Sequence, residues 1–126
     1  MREAVAAVRV AATAEALDAA RWPADATALR VAPDEVLLLD ALDATPPEPH
    51  AIVFGDTGWV RFVLTPEQGR ALMAGGAAWP PPAEGLGQGL VAGIPAKVHV
   101  ADDRWWVLVQ AVFVDEFEER VGEVSA

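Results

Sequence analysis

The chain has 126 residues, enough for one domain with a core of its own and no covalent staples. It carries 19 Asp and Glu against 9 Lys and Arg, a net charge of −10, and its few cations are scattered, which argues against a nucleic-acid partner. It has no cysteine, so disulfides and thiolate chemistry are excluded and a reducing compartment fits. Apolar residues make up 53 % of the chain and the mean hydropathy is +0.25. No apolar run approaches the roughly 18 residues of a membrane span. The composition is that of a small domain with more apolar surface than it can bury alone. The alanine-rich start does not read as a secretory signal, because Glu3 occupies the basic region and Arg9 interrupts the apolar one. A cytoplasmic chain with no membrane partner is expected.

Val5 to Ala11 alternates loosely and predicts a short first strand. Thr13 then suits the N-cap of a helix over Ala14 to Arg21, with Leu17 inward and Trp22-Pro23 ending it. Ala28 to Ala32 and Glu35 to Leu39 flank Pro33-Asp34, a turn dipeptide, and predict a hairpin. Thr45 to Pro49 is proline-rich and predicts a stiff linker dividing the chain into two segments within one domain. A second hairpin is expected from Ala51–Phe54 and Trp59–Leu64 around Gly55-Asp56-Thr57-Gly58, with Phe54 opposite Trp59 and Val53 opposite Val60. Thr65-Pro66-Glu67-Gln68 has the form of a capping box with proline at the first helical position. The helix it starts carries Leu72 and Met73 and stops at Gly75-Gly76. An irregular stretch from Trp79 to Gly85 leads on to the end of the chain.

There the signal is clearest. Ile94 to Val100 and Arg104 to Gln110 flank a polar turn at Asp102-Asp103 and predict a hairpin. With a two-residue loop, Val100 faces Trp105, Val98 faces Val107 and Ala96 faces Val109, one wholly apolar side. The other side pairs His99 with Trp106 and Lys97 with Leu108. Neighbouring side chains in a strand point to opposite faces, so Trp105 and Trp106 cannot share one core. Phe113, Phe117 and Val121 follow at helical spacing. Hairpin-then-helix thus occurs twice, over 51–75 and 94–122. The expected architecture is a single α+β domain over 1–126, an antiparallel sheet of hairpins with helices packed on one side.

Sites for chemistry are scarce. His50 and His99 have no Cys, His or Asp at ligand spacing, so no metal site is expected. Ser125 is the only serine and there is no tyrosine, which removes the usual oxygen nucleophiles. Gly85-Leu86-Gly87-Gln88-Gly89 looks superficially like a phosphate loop but lacks the strand-before, helix-after context. Asp115, Glu116, Glu118 and Glu119 read as a solvated face at a helix start. No catalytic, cofactor-binding or metal residue is assigned. The five tryptophans are the conspicuous excess. Trp22 and Trp79 adjoin prolines and are expected to plug core edges, whereas Trp59, Trp105 and Trp106 lie in strands.

The stretches Ala28–Leu39, Val53–Leu64 and Gly89–Val100, with the acidic-aromatic helix after Gln110, resemble the gamma subunit of heterotetrameric sarcosine oxidase. The first of them, Ala28–Leu39, is similar too to an element of the folate-binding aminomethyltransferase, the T-protein, of the glycine cleavage system. The resemblance spans roughly residues 27–122. It implies the folate-binding-domain-like α+β fold of those enzymes without a second lobe, in a small accessory chain packed on larger ones that hold flavin and substrate. At the family's Asp-x-Ser motif this sequence has Phe54 in place of the carboxylate and Asp56 in place of the serine, so a catalytic Asp does not carry over. The cysteine motif of related iron–sulfur repair proteins is absent as well.

These readings lead to an accessory subunit or adaptor of a flavin/folate-dependent amine oxidoreductase, without cofactor and not catalytic on its own. Its partners are larger flavoprotein subunits or further copies of itself. Two candidate docking faces follow, one with Lys97, His99, Trp106 and Leu108 and one with Ile52, Phe54, Trp59 and Arg61. A self-associating structural or regulatory domain and a folate-like small-molecule binder are the alternatives.

Overall fold

A computed structural model describes residues 2–125, and the side chains of 2–122. The side chain of Ser125 and the ends of the expected domain, Met1 and Ala126, lie outside what is described. Among the described residues nine strands and three helices follow in order: β1 (Arg2–Val5), β2 (Ala7–Ala11), α1 (Ala14–Ala19), β3 (Thr27–Ala32), β4 (Glu35–Leu39), β5 (Ile52–Gly55), β6 (Trp59–Leu64), α2 (Pro66–Gly76), β7 (Gly85–Val91), β8 (Ile94–Val100), β9 (Trp105–Gln110) and α3 (Val114–Ser125), the last entered through a 3₁₀ turn, Ala111–Phe113. They form two compact units. One runs Val5–Thr57, and the other combines the N-terminal residues up to Ala4 with everything from Gly58 on. Each has its own sheet, in the orders β3-β4-β2-β5 and β1-β6-β9-β8-β7.

In the larger unit β7, β8 and β9 form an antiparallel meander, with β6 antiparallel on the far side of β9. The final hairpin has the register expected of it, Val100 against Trp105, His99 against Trp106, Val98 against Val107 and Lys97 against Leu108. Ala101 N–H closes the turn on the Arg104 carbonyl at 3.0 Å. Alternation then sends Ala96, Val98, Val100, Trp105, Val107 and Val109 to one side, where they are buried with Leu72 and Met73 of α2 and with Val114 and Phe117 of α3. Helices therefore cover one face of this sheet. The Thr65 box is complete: its hydroxyl accepts from Gln68 N–H at 3.1 Å, and Gln68 Oε1 accepts from Thr65 N–H at 2.9 Å.

Two close approaches fix this core. A methyl group on Gly69 of α2 would overlap Cδ2 and Cε3 of the Trp105 ring, so the helix rests its bare backbone on the indole. On β7 the Gly-rich stretch is a strand, not a loop. Gly87 and Gly89 leave room for Trp79, whose Nε1 donates to the Leu90 carbonyl at 2.9 Å. The strand was hidden in the sequence because its glycines carry no apolar alternation.

In the smaller unit Val8, Val10, Val36 and Leu38 bury one sheet face with Leu17 of α1, and Trp22 packs against them. Thr13 caps α1 as expected, accepting from Ala16 N–H at 3.1 Å. The β3–β4 hairpin turns at Pro33-Asp34, with Ala32 opposite Glu35.

Two expectations are overturned. The predicted single first strand is two: β1 belongs to the larger sheet and β2 to the smaller. The hairpin of Ala51–Phe54 with Trp59–Leu64 does not form, because β5 pairs with β2 and β6 with β9. The two ends of the intervening turn are bonded within different units. Asp56 N–H donates to the Ala7 carbonyl at 3.0 Å and its carboxylate meets Arg9 at 2.8 Å, whereas the Gly58 carbonyl accepts from Ala111 N–H at 2.6 Å. Gly58 takes φ +89°, the left-handed region open to glycine. The chain accordingly divides at Gly58 and not at the proline stretch Thr45–Pro49.

Gly69→Ala tests the close approach of α2. Alanine favours a helix by about 1 kcal/mol over glycine, but overpacking costs about 1–3 kcal/mol, so a lower urea midpoint is expected. Gly122→Ala in α3, where nothing lies within 4 Å of the added carbon, is the control and should raise it.

Candidate functional site

The face of the larger sheet that points away from α2 and α3 carries all six of the predicted interface residues. Because β6 pairs with β9, Trp59 and Arg61 join Lys97, His99, Trp106 and Leu108 on one surface. Ile52 and Phe54, grouped with Trp59 in the sequence, lie instead in the other sheet. Trp59, Arg61 and Leu108 are buried, at 7 %, 7 % and 0 % exposure. Lys97, His99 and Trp106 are half-buried.

Trp106 is the centre of this face. The guanidinium carbon of Arg104 lies 3.6 Å from its ring centroid and that of Arg61 4.3 Å, while the His99 ring is 5.7 Å away. Cations near the face of an indole are attracted by its quadrupole. The Lys97 ammonium stands 5.4 Å from the Trp59 ring and donates to Gln88 Oε1. Arg61, the one buried charged residue among those described, is compensated by Glu3, whose Oε1 accepts from Nε at 2.9 Å and from Nη2 at 2.8 Å. That pair joins β1 to β6 across 58 positions. In a chain with a net charge of −10, this is a local concentration of cations.

Arg104 Nη1 lies 2.8 Å from His99 Nδ1. A guanidinium only donates, so Nδ1 is the acceptor and the ring proton sits on Nε2. Burial, and then the charge of Arg104, hold the His99 pKa below its usual 6.5. Arg104 is itself lowered by desolvation, an effect that Asp103 opposes and Arg61 reinforces. The face offers guanidinium donors, a neutral imidazole and an indole edge, a chemistry of recognition. Among the described residues no group of three or more His, Asp or Glu is placed to hold a metal ion.

Sequence reasoning missed two members. Arg104, expected as the first residue of the second strand, was not counted with this face, although it stands two positions before Trp106 and so shares its side. Glu3 gave no local signal, since its partner is remote in sequence.

The whole chain superposes on one chain of the heterotetrameric sarcosine oxidase from Corynebacterium sp. U-96 in complex with pyrrole 2-carboxylate, covering 100 % of this chain and 85 % of that one, with a TM-score of 0.69 and 17 % identity. The likeness is one of fold. No protein-family model matches the chain, and no curated protein matches it in sequence. Among the described residues no helix is long and apolar enough to cross a membrane.

The depressed His99 pKa has a stability consequence. In the unfolded chain the ring protonates near 6.5, but the folded site resists the proton to lower pH. The unfolded state therefore binds more protons in that window, and stability falls as the pH drops from 6.5 towards the folded pKa. His99→Gln should remove this slope. Thermal midpoints of the two proteins should converge as the pH falls below 6.5, whereas curves that stay parallel would contradict the assignment.

Proposed function

We propose that the chain is a non-catalytic accessory subunit of a flavin/folate-dependent amine oxidoreductase of the sarcosine oxidase kind, with the fold of the aminomethyltransferase folate-binding domain. It works in the cytoplasm and holds no cofactor of its own. The observation that carries this reading is the likeness over the full chain to one chain of a heterotetrameric enzyme. The cationic face supports it. Arg104 and Trp106 are partly exposed there and are of the residue types enriched where interfaces desolvate, with Lys97 and His99 beside them. Trp59, Arg61 and Leu108 form the buried floor beneath them. In this reading a larger flavoprotein subunit lies over that face.

Native mass spectrometry of the protein isolated from its own cells is expected to find it in stoichiometric complex with larger, flavin-bearing chains. A lone monomer, or an assembly of this chain only, would contradict the reading, and the latter would favour a self-associating structural domain.

One observation favours a small-molecule role instead. A groove of about 450 Å³ between β6, α2 and α3 is lined by Phe62, Leu64, Leu72, Phe117 and Val121, with Gln68 and Glu118 as its polar groups. Both are engaged, Gln68 Oε1 by the Thr65 N–H and Glu118 by Arg2. That leaves few groups to orient a pterin. Titration with a reduced folate to millimolar concentration should leave the tryptophan fluorescence unchanged, and saturable quenching would move the reading to a folate-like binder.

A further inference from the structure

Two sheets have four edges, and three of them are defended. β1 is charged, with Glu3 bound to Arg61 and Arg2 paired with Glu118. β3 has a register shift between Arg30 and Ala32, and Arg30 is tied to Asp18, to the Ala14 carbonyl and to the Pro33 carbonyl. β7 is covered by Trp79, which binds the Leu90 carbonyl. Charges, bulges and covering segments are the devices by which proteins keep edges from pairing. β5, at the end of the smaller sheet, carries no charged side chain and pairs with β2 without a register shift. It reads Ile-Val-Phe-Gly, and Ile52 and Phe54 are 62 % and 45 % exposed.

The orientation of its backbone groups follows from its pairing. Asp56 N–H points inward to the Ala7 carbonyl. In an antiparallel pair inward and outward residues alternate, so Phe54 and Ile52 also bond inward, to Arg9 and Ala11. Val53 and Gly55 then turn their N–H and C=O groups outward. The Val53 side chain packs into the core of its unit, which leaves Ile52 and Phe54 together on the opposite face.

We propose that the outer edge of β5 receives an extended segment of a different polypeptide, which adds a strand to the smaller sheet. Main-chain bonds to Val53 and Gly55 would anchor it, and alternate apolar side chains would cover Ile52 and Phe54. A second copy of this chain is a poor occupant. Each copy carries a net charge of −10, so two copies repel one another. A basic segment of another chain is attracted by that charge instead.

The test uses the purified full chain and a capped heptapeptide of alternating valine and threonine with a lysine at each end, read by amide hydrogen exchange. With peptide at ten times its dissociation constant, the Val53 and Gly55 amides should exchange about tenfold more slowly. Gly55→Pro removes one outward donor at a position with open space around it and should abolish the effect. Ile52→Thr with Phe54→Thr should weaken peptide binding severalfold and leave the fold intact. No slowing at millimolar peptide, or undiminished binding by Gly55→Pro, would overturn the proposal. So would protection of both amides in peptide-free protein that sediments as a dimer. The oxidase reading is not at stake, because no flavoprotein enters the measurement and either idea can fail alone.

Discussion

Two indoles side by side on β9 impose opposite demands on the two faces of one sheet. Trp105 is 4 % exposed and belongs to the core under the helices. It fills that core because Gly69 lets α2 settle onto the ring, an approach that any side chain would obstruct. Trp106 must then look the other way. It is only half-buried and is covered by cations, not by hydrocarbon, with Arg104 and Arg61 both near its ring. Such contacts are each worth about 0.5–1 kcal/mol at partly exposed sites.

Other features follow from that choice. A guanidinium placed under an indole and largely removed from water needs a counter-charge, and Glu3 provides it. This gives a physical reason for β1 to join the larger sheet beside β6 while β2, one residue further on, belongs to the smaller. Arg104 in turn fixes the tautomer of His99 and keeps it neutral. A predominantly acidic chain thereby keeps an ordered cationic and aromatic surface, whose parts hold one another in place.

What the sequence made legible was local. The register of β8 on β9 followed from alternation and a two-residue turn, so the pairing of His99 with Trp106 was readable before any coordinates. The box at Thr65 was readable for the same reason, since cap and partner are three residues apart. Pairing between distant strands was not. Gly55 to Gly58 has the composition of a hairpin turn, but its flanks find better partners in β2 and β9. The cationic face was half legible: six of its residues lie on strands whose alternation can be read, but nothing local joins Arg61 to Glu3. The separation of Ile52 and Phe54 from Trp59 was invisible for the same cause.

Both faces of the larger sheet depend on the division that β9 makes between its two indoles. Oxidative footprinting tests that division directly, because Trp105 and Trp106 fall in the same proteolytic fragment and serve as internal controls for each other. Brief hydroxyl-radical exposure of the native protein, read by tandem mass spectrometry, should oxidise Trp106 and spare Trp105 until the chain unfolds. Equal oxidation of the two, or protection of both in the isolated protein, would contradict it.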